Sequence, residues 1–296
     1  MLIHEFPFEE QQFQTIQTQL ADVIDYSKRL LLSIRALLNP PVAFQAHFAD
    51  PVVGAALSLL LRACRRYRQV IALSELGQAD GADVIGRSMF ESFLTIAFVC
   101  REQVQLSRRN SSKPANQFGK ELTREFRAKL YYTHSNLKKE RFFENLRTVA
   151  NAKHVAEEKL NERPGFVDSA IEDIGPEWSR AIKKENTCAG LSIQDLSHSL
   201  GVYDLYRTIY AQQSFRVHSA DAGDYLKIAD GNSQPSAHYQ SDVAEIKAAL
   251  WCATTMVHLA AQEFWVLLDM KSKSYSKEIS LTNSPAVVRE VFRMGV

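Results

Sequence analysis

Nine prolines punctuate the 296-residue chain: Pro7, Pro40, Pro41, Pro51, Pro114, Pro164, Pro176, Pro235 and Pro285. Proline removes a backbone donor and clashes with the preceding helical turn, so it is confined to helix starts, turns and ends. The stretches between these prolines are long, and with only 12 glycines in the chain they hold few other breakers. Apolar residues recur within them at three- and four-residue spacing, the period of a helix with one buried face. This pattern predicts an all-α fold, a single helical bundle of six to eight helices.

The first helix is expected over residues 9–38, with Phe13, Ile16, Leu20, Ile24 and Leu31 on one recurring face, and it ends at Asn39-Pro40-Pro41. A second, over 52–76, carries Leu57, Leu60, Cys64, Tyr67 and Ile71, with Gly77 as its stop. A third, over 80–107, carries Ile85, Met89, Phe93, Ile96 and Cys100. Beyond the polar break at 110–114, residues 116–160 predict one long or two consecutive helices, and 163–190 a short helix between turns. Residues 192–200 and 203–217 predict two short helices separated by Gly201. Residues 225–240, with Asp230-Gly231-Asn232 at their centre, form a small hairpin or a long loop. A last helix spans 241–270. The organisation is an N-terminal helix and linker (1–50), the bundle proper (51–270) and a C-terminal tail (271–296).

Composition narrows the function classes. The 46 % apolar content supports a sizeable core, and 35 basic against 34 acidic residues exclude a highly charged disordered chain. Cys64, Cys100, Cys188 and Cys252 are isolated, with no CxxC or Cys–His cluster, which points to reduced, buried thiols rather than zinc or disulfides. The most apolar runs, Met89–Cys100 and Trp251–Leu268, are broken by Glu91 and by His258, Gln262 and Glu263, so neither reads as a membrane span. The start of the chain lacks the basic and apolar regions of a signal peptide. A cytoplasmic protein with no membrane contact is the expectation. No Gly-rich phosphate loop, GxSxG or HExxH is present, so no cofactor and no metal is expected.

Three groups of residues carry chemistry. On the third helix Asp83, Arg87 and Glu91 are four apart and stack on one face, with Phe90, Phe93, Leu94 and Ile96 around them. A carboxylate in such surroundings needs a partner. The row is either an ion pair that fixes helix packing or a polar patch where Arg87 meets a phosphate. The second group is Tyr206, Tyr210, Ser214 and His218, which share a face if 203–217 is helical, with Arg207 beside them. His218 falls at the helix end, and histidine is the side chain suited to acid–base work near neutral pH; it is either that or a helix-end cap. The third group is basic. Four arginines, Arg62, Arg65, Arg66 and Arg68, fall within seven residues, and Arg124, Arg127, Lys138 and Lys139 lie in a basic stretch interleaved with Tyr131, Tyr132, Phe142 and Phe143. These suit a nucleic-acid backbone with stacked bases, or else form a solvated helix face.

Arg87-Ser88-Met89-Phe90-Glu91, followed by Tyr210-x3-Ser214-x3-His218, resembles a bacterial family of uncharacterised all-α proteins carrying R-S-apolar-apolar-E and Y-x3-S-x3-H, which is similar in turn to the HEPN superfamily. The resemblance covers residues 50–270. It implies a metal-independent ribonuclease or RNA-directed effector in anti-phage defence or a toxin–antitoxin pair, with a site completed across a homodimer. In many HEPN proteins the motif is an arginine, four to six residues, then a histidine; the arginine steadies the phosphate and the histidine handles the proton. Here Arg207 is eleven residues before His218 and Arg216 two before it, so the arginine role passes to Arg87 or Arg207. His218 is the expected acid–base residue, with Tyr210, Ser214 and Glu91 orienting it. RNA or a nucleotide is the expected ligand. The alternative is a non-catalytic module that binds a nucleotide or a protein through the same residues.

Overall fold

A computed structural model describes residues 7–38, 49–107, 122–162, 166–185, 187–211, 213, 226–227, 236–237 and 243–275. The fold is all-α. Among the described residues eleven α-helical segments follow in order: α1 Pro7–Gln19, α2 Ala21–Leu37, α3 Pro51–Glu75, α4 Ala79–Cys100, α5 Arg124–Leu146, α6 Lys153–Asn161, α7 Phe166–Ile174, α8 Pro176–Glu185, α9 Ile193–Ser199, α10 Tyr203–Leu205 and α11 Val243–Tyr275. A π-helix, Tyr206–Tyr210, continues α10, and a two-residue antiparallel ladder pairs Leu226 with Ala237 and Lys227 with Ser236. The ladder falls where the hairpin or loop was expected.

The count exceeds six to eight for local reasons. The helix expected over 9–38 is two: the chain breaks at Leu20, whose φ of −111° and ψ of 7° leave the helical region. Neither proline nor glycine marks that break, and Leu20 still accepts from the Ile24 amide at 2.9 Å, so the axis shifts without a loop. The single helix expected within 163–190 is also two, parted by Gly175 at φ 84°.

Contacts group the chain into two compact units. The first holds α1, α2, Leu59–Phe93 and the chain from Arg207 on, α11 included. Its core holds Ile16, Leu20, Ile24 and Ile34; Leu60, Tyr67 and Val70; Met89, Phe90 and Phe93; Ile246, Leu250, Val257 and Phe264. A buried polar contact joins three of these helices. Thr254 Oγ1 donates to the Leu250 carbonyl (2.7 Å) and accepts from the Tyr67 phenol (2.8 Å), with Ser27 Oγ at 3.5 Å. Burial pushes the Tyr67 phenol up to about 12, so it stays neutral. The α3 terminus is a Schellman turn, with Gln78 N donating to Leu73 O and Gly77 N to Ser74 O. Gly77 sits at φ 76°.

The second unit holds the start of α3 and Leu94–Tyr206. Here α4 ends at Cys100, short of the expected 107. The reason is the set of donors that meets its terminal carbonyls. Arg124 Nε donates to Cys100 O (2.8 Å), and Arg127 donates through Nη2 to Arg101 O and through Nη1 to Leu122 O (2.6 Å). Ser107 N then donates to Ser199 Oγ, which donates back to Ser107 O. Arg127 is fully buried and lies over the Phe98 ring at 5.9 Å. Burial pulls its guanidinium down to about 10, still charged at neutral pH. A C-terminal set of carbonyls carries partial negative charge, so guanidinium donors there are favoured twice, by hydrogen bonding and by the dipole.

Two stability predictions follow from these ends. Arg127→Met keeps the stem but leaves Arg101 O and Leu122 O without their donors. It should cost about 2–4 kcal/mol in urea denaturation, and an unchanged midpoint would contradict the capping role. Gly77→Ala and Gly201→Ala both place an L side chain at positive φ, yet an added Cβ at Gly77 meets Ile16 Cδ1 at 2.9 Å while at Gly201 it meets nothing. Gly201→Ala should cost about 1–2 kcal/mol, and Gly77→Ala measurably more in the same assay.

Candidate functional site

The site lies in the first unit, where α4 presents its polar row. Asp83, Arg87 and Glu91 stand at successive turns on a largely apolar helix, and Tyr210, at the end of the π-helix, comes against them. The Tyr210 phenol donates to Glu91 Oε1 at 3.3 Å, a contact between residues 119 apart in sequence. Arg87 Nε is 3.9 Å from the same oxygen. The Arg87 guanidinium lies over the Tyr210 ring, 5.0 Å from its centroid, and Phe90 packs on that ring at 5.4 Å. Such a cation–aromatic contact contributes about 0.5–2 kcal/mol, depending on how far it is desolvated.

Exposure divides the roles. Tyr210 is buried, whereas the Arg87 and Glu91 side chains keep 26 % and 44 % of their surface. The tyrosine forms a floor and the two charges form a rim open to solvent. Desolvation raises the Tyr210 phenol above its ordinary value, and the Glu91 carboxylate adds to this while Arg87 opposes it. At neutral pH the group is therefore a hydrogen-bond donor. Arg87 offers a planar fork suited to phosphate or carboxylate, and Glu91 accepts.

One turn along the row, Asp83 is buried and accepts from Gln213 Nε2 at 3.3 Å. Gln213 is itself 2 % exposed, and its Oε1 meets no partner among the described residues. A carboxylate accepts and does not donate, so Asp83 orients the amide with nitrogen inward. Gly86 makes room for it: a Cβ there would overlap the Gln213 amide nitrogen. From α3, Arg66 Nη1 donates to Ser88 O and Ser92 Oγ, both at 2.7 Å. Its pKa is lowered by burial first and by Arg62 second, with Glu91 acting the other way.

The structure thus brings together Arg87, Glu91 and Tyr210, and places Arg66 on the adjoining row of α4. Ser214 and His218 lie outside the described residues. Arg207 is exposed on the π-helix and makes no hydrogen bond or ion pair among the described residues. Arg65 is exposed on α3, and Lys138 and Lys139 are exposed on α5. Arg124 and Arg127 hold carbonyls at the end of α4, and Arg127 presents no surface to a ligand. A π-helix, Tyr206–Tyr210, replaces part of the helix expected over 203–217. Gln213, three residues past Tyr210, becomes its neighbour in the site. The four-residue spacing selects 206 and 214 and not Gln213, whose sequence neighbours Gln212 and Ser214 are polar as well.

Among the described residues no group of three or more His, Cys, Asp or Glu side chains comes together that could hold a metal. None of the described helices is long and apolar enough to cross a membrane. Cys64, Cys100 and Cys188 are buried free thiols and Cys252 is partly buried; burial pushes Cys64 and Cys188 up to about 12.

Fold and site together define an all-α protein with a half-open Arg–Glu–Tyr cluster on a buried helix. The chain belongs to DUF5677, a family of unknown function, which it matches over residues 54–234, a span that includes the whole cluster. No curated protein and no solved structure matches it.

The Gly86 notch gives a test of how the row is held. Gly86→Ala would drive the amide off buried Asp83, at about 1–3 kcal/mol. In a Gln213→Ala background the same change should be neutral or stabilising, because alanine is the better helix former by about 1 kcal/mol. A double-mutant cycle read by thermal unfolding checks this, and equal costs in both backgrounds would show that the amide does not occupy the notch.

Proposed function

We propose that this protein is a metal-independent ribonuclease of HEPN-like type. The observation that carries the reading is the meeting of Arg87, Glu91 and Tyr210 across 119 residues of sequence. It supplies a cation and a carboxylate acceptor at a solvent-accessible rim, over a buried aromatic floor whose phenol is a neutral hydrogen-bond donor. Eight residues beyond Tyr210 in the sequence comes His218, the group of this segment that can exchange a proton at neutral pH.

In this reading the ribose 2′-hydroxyl attacks its own phosphodiester. His218 takes the hydroxyl proton, the P–O5′ bond breaks, the 5′-oxygen takes a proton from water while the imidazolium returns its own to solvent, and the products carry a 2′,3′-cyclic phosphate and a 5′-hydroxyl. Arg87 steadies the charge that grows on the non-bridging oxygens, a role that a preorganised donor in a partly dry site performs well. Glu91 and Tyr210 hold the Arg87 side chain in place. The proton handling calls on no redox step and no co-reactant.

The protein is expected to cleave RNA in EDTA with cyclic-phosphate ends. His218→Ala should reduce the rate about 10²–10⁴-fold, and Arg87→Ala about 10²–10³-fold, with melting temperatures near that of the parent. Nucleotide binding by the parent with no cleavage would favour the non-catalytic binding module, and cleavage unaffected by either substitution would overturn the reading.

A further inference from the structure

Arg66 is an arginine held by one nitrogen. Nη1 donates at once to the Ser88 carbonyl and to Ser92 Oγ, both at 2.7 Å, and Ser92 Oγ in turn donates to Ser88 O at 3.0 Å. No acceptor meets Nη2 or Nε among the described residues. The residue is half-buried, so the guanidinium plane is fixed while one edge of its fork carries two unoccupied donors. A guanidinium edge of that kind matches two oxygens of one phosphate, and fixing the plane in advance removes most of the ordering cost.

Its place on α4 gives the fork a meaning. Ser88 follows Arg87 and Ser92 follows Glu91, so the Ser88–Ser92 row adjoins the Arg87–Glu91 row on the same helical turn. Among the described residues Glu91 acts on Arg66 from that row, and Arg62, exposed one turn earlier on α3, adds positive charge.

We propose that Arg66 forms a second phosphate subsite beside Arg87, so that the site takes an RNA strand through two neighbouring phosphates rather than a mononucleotide through one. This rests on the reading of the Arg87 cluster as an RNA site and adds to it the length and register of the ligand. The phosphate at Arg87 is the reacting one. The phosphate at Arg66 belongs to the adjoining nucleotide and holds the strand in register.

The experiment compares the dinucleotide UpU, with one phosphate, and pUpU, with a second on its 5′ end, against UDP, whose two phosphates belong to a free nucleotide. Binding is measured by calorimetry in EDTA on the full chain, with His218→Ala present throughout to prevent turnover. The second phosphate of pUpU should tighten binding about tenfold, equivalent to about 1.4 kcal/mol. Arg66→Lys keeps a cation able to reach Ser88 and Ser92 but loses the fork, and Arg66→Met loses both. Each should abolish the tenfold gain, with thermal unfolding confirming the fold. A gain that persists in both variants, or no gain in the parent protein while UpU binds, overturns the second subsite and leaves the RNA reading standing. An Arg66-dependent gain with UDP but none with pUpU overturns the strand assignment. Failure of every probe to bind overturns both.

Discussion

Helix α4 is short of water on almost every side, and that constraint organises what surrounds it. Between Met89 and Cys100 every residue except Glu91 and Thr95 is buried. A polar group in that setting must find a partner within the protein or carry a desolvation cost of roughly 1–3 kcal/mol. In the first unit the Asp83–Arg87–Glu91 row is met by Gln213 and Tyr210, and the Ser88 carbonyl by Arg66. In the second, the carbonyls where the helix ends are met by Arg124 and Arg127. The same physical demand thus produces a site in one place and a helix stop in the other.

The difference between the two lies in what remains exposed. Arg127 is enclosed, and its fork is closed on backbone oxygens. Arg87 and Glu91 remain at a rim, with a buried phenol beneath them. A cation held over an aromatic ring and beside a neutral donor is already arranged for an anion, so little reorganisation accompanies binding. Asp83 and Gln213 sit below this rim and tie the segment after the π-helix to α4 through the notch at Gly86.

Much of this was legible from residue order. Proline spacing and apolar periodicity located the long helices, Gly77 and Gly201 marked two helix ends, and the i, i+4 spacing of Asp83, Arg87 and Glu91 gave one face of the site. The Leu20 break was not legible, because no breaker residue stands there and the hydrogen bonds on either side persist. The basic stretch of α5 read as one charged face, yet Arg127 shares the i, i+3, i+4 phase of Leu130 and Tyr131, which is the buried phase of that helix. Charge counting hides such a residue and periodicity reveals it. Gln213 is three residues past Tyr210, a spacing at which helical side chains adjoin, but it stands among polar neighbours in the sequence, and only its burial against Asp83 sets it apart.

The most direct test of the account is an NMR titration of the full chain, carrying His218→Ala, with a short single-stranded RNA in EDTA, following arginine Nε–H, lysine ε-methylene and tyrosine ring resonances. The account predicts that Arg87, Arg66 and Tyr210 shift together with one affinity while the exposed Lys138 and Lys139 do not. Shifts confined to Lys138 and Lys139, or RNA binding that leaves Arg87 and Tyr210 unmoved, would contradict it.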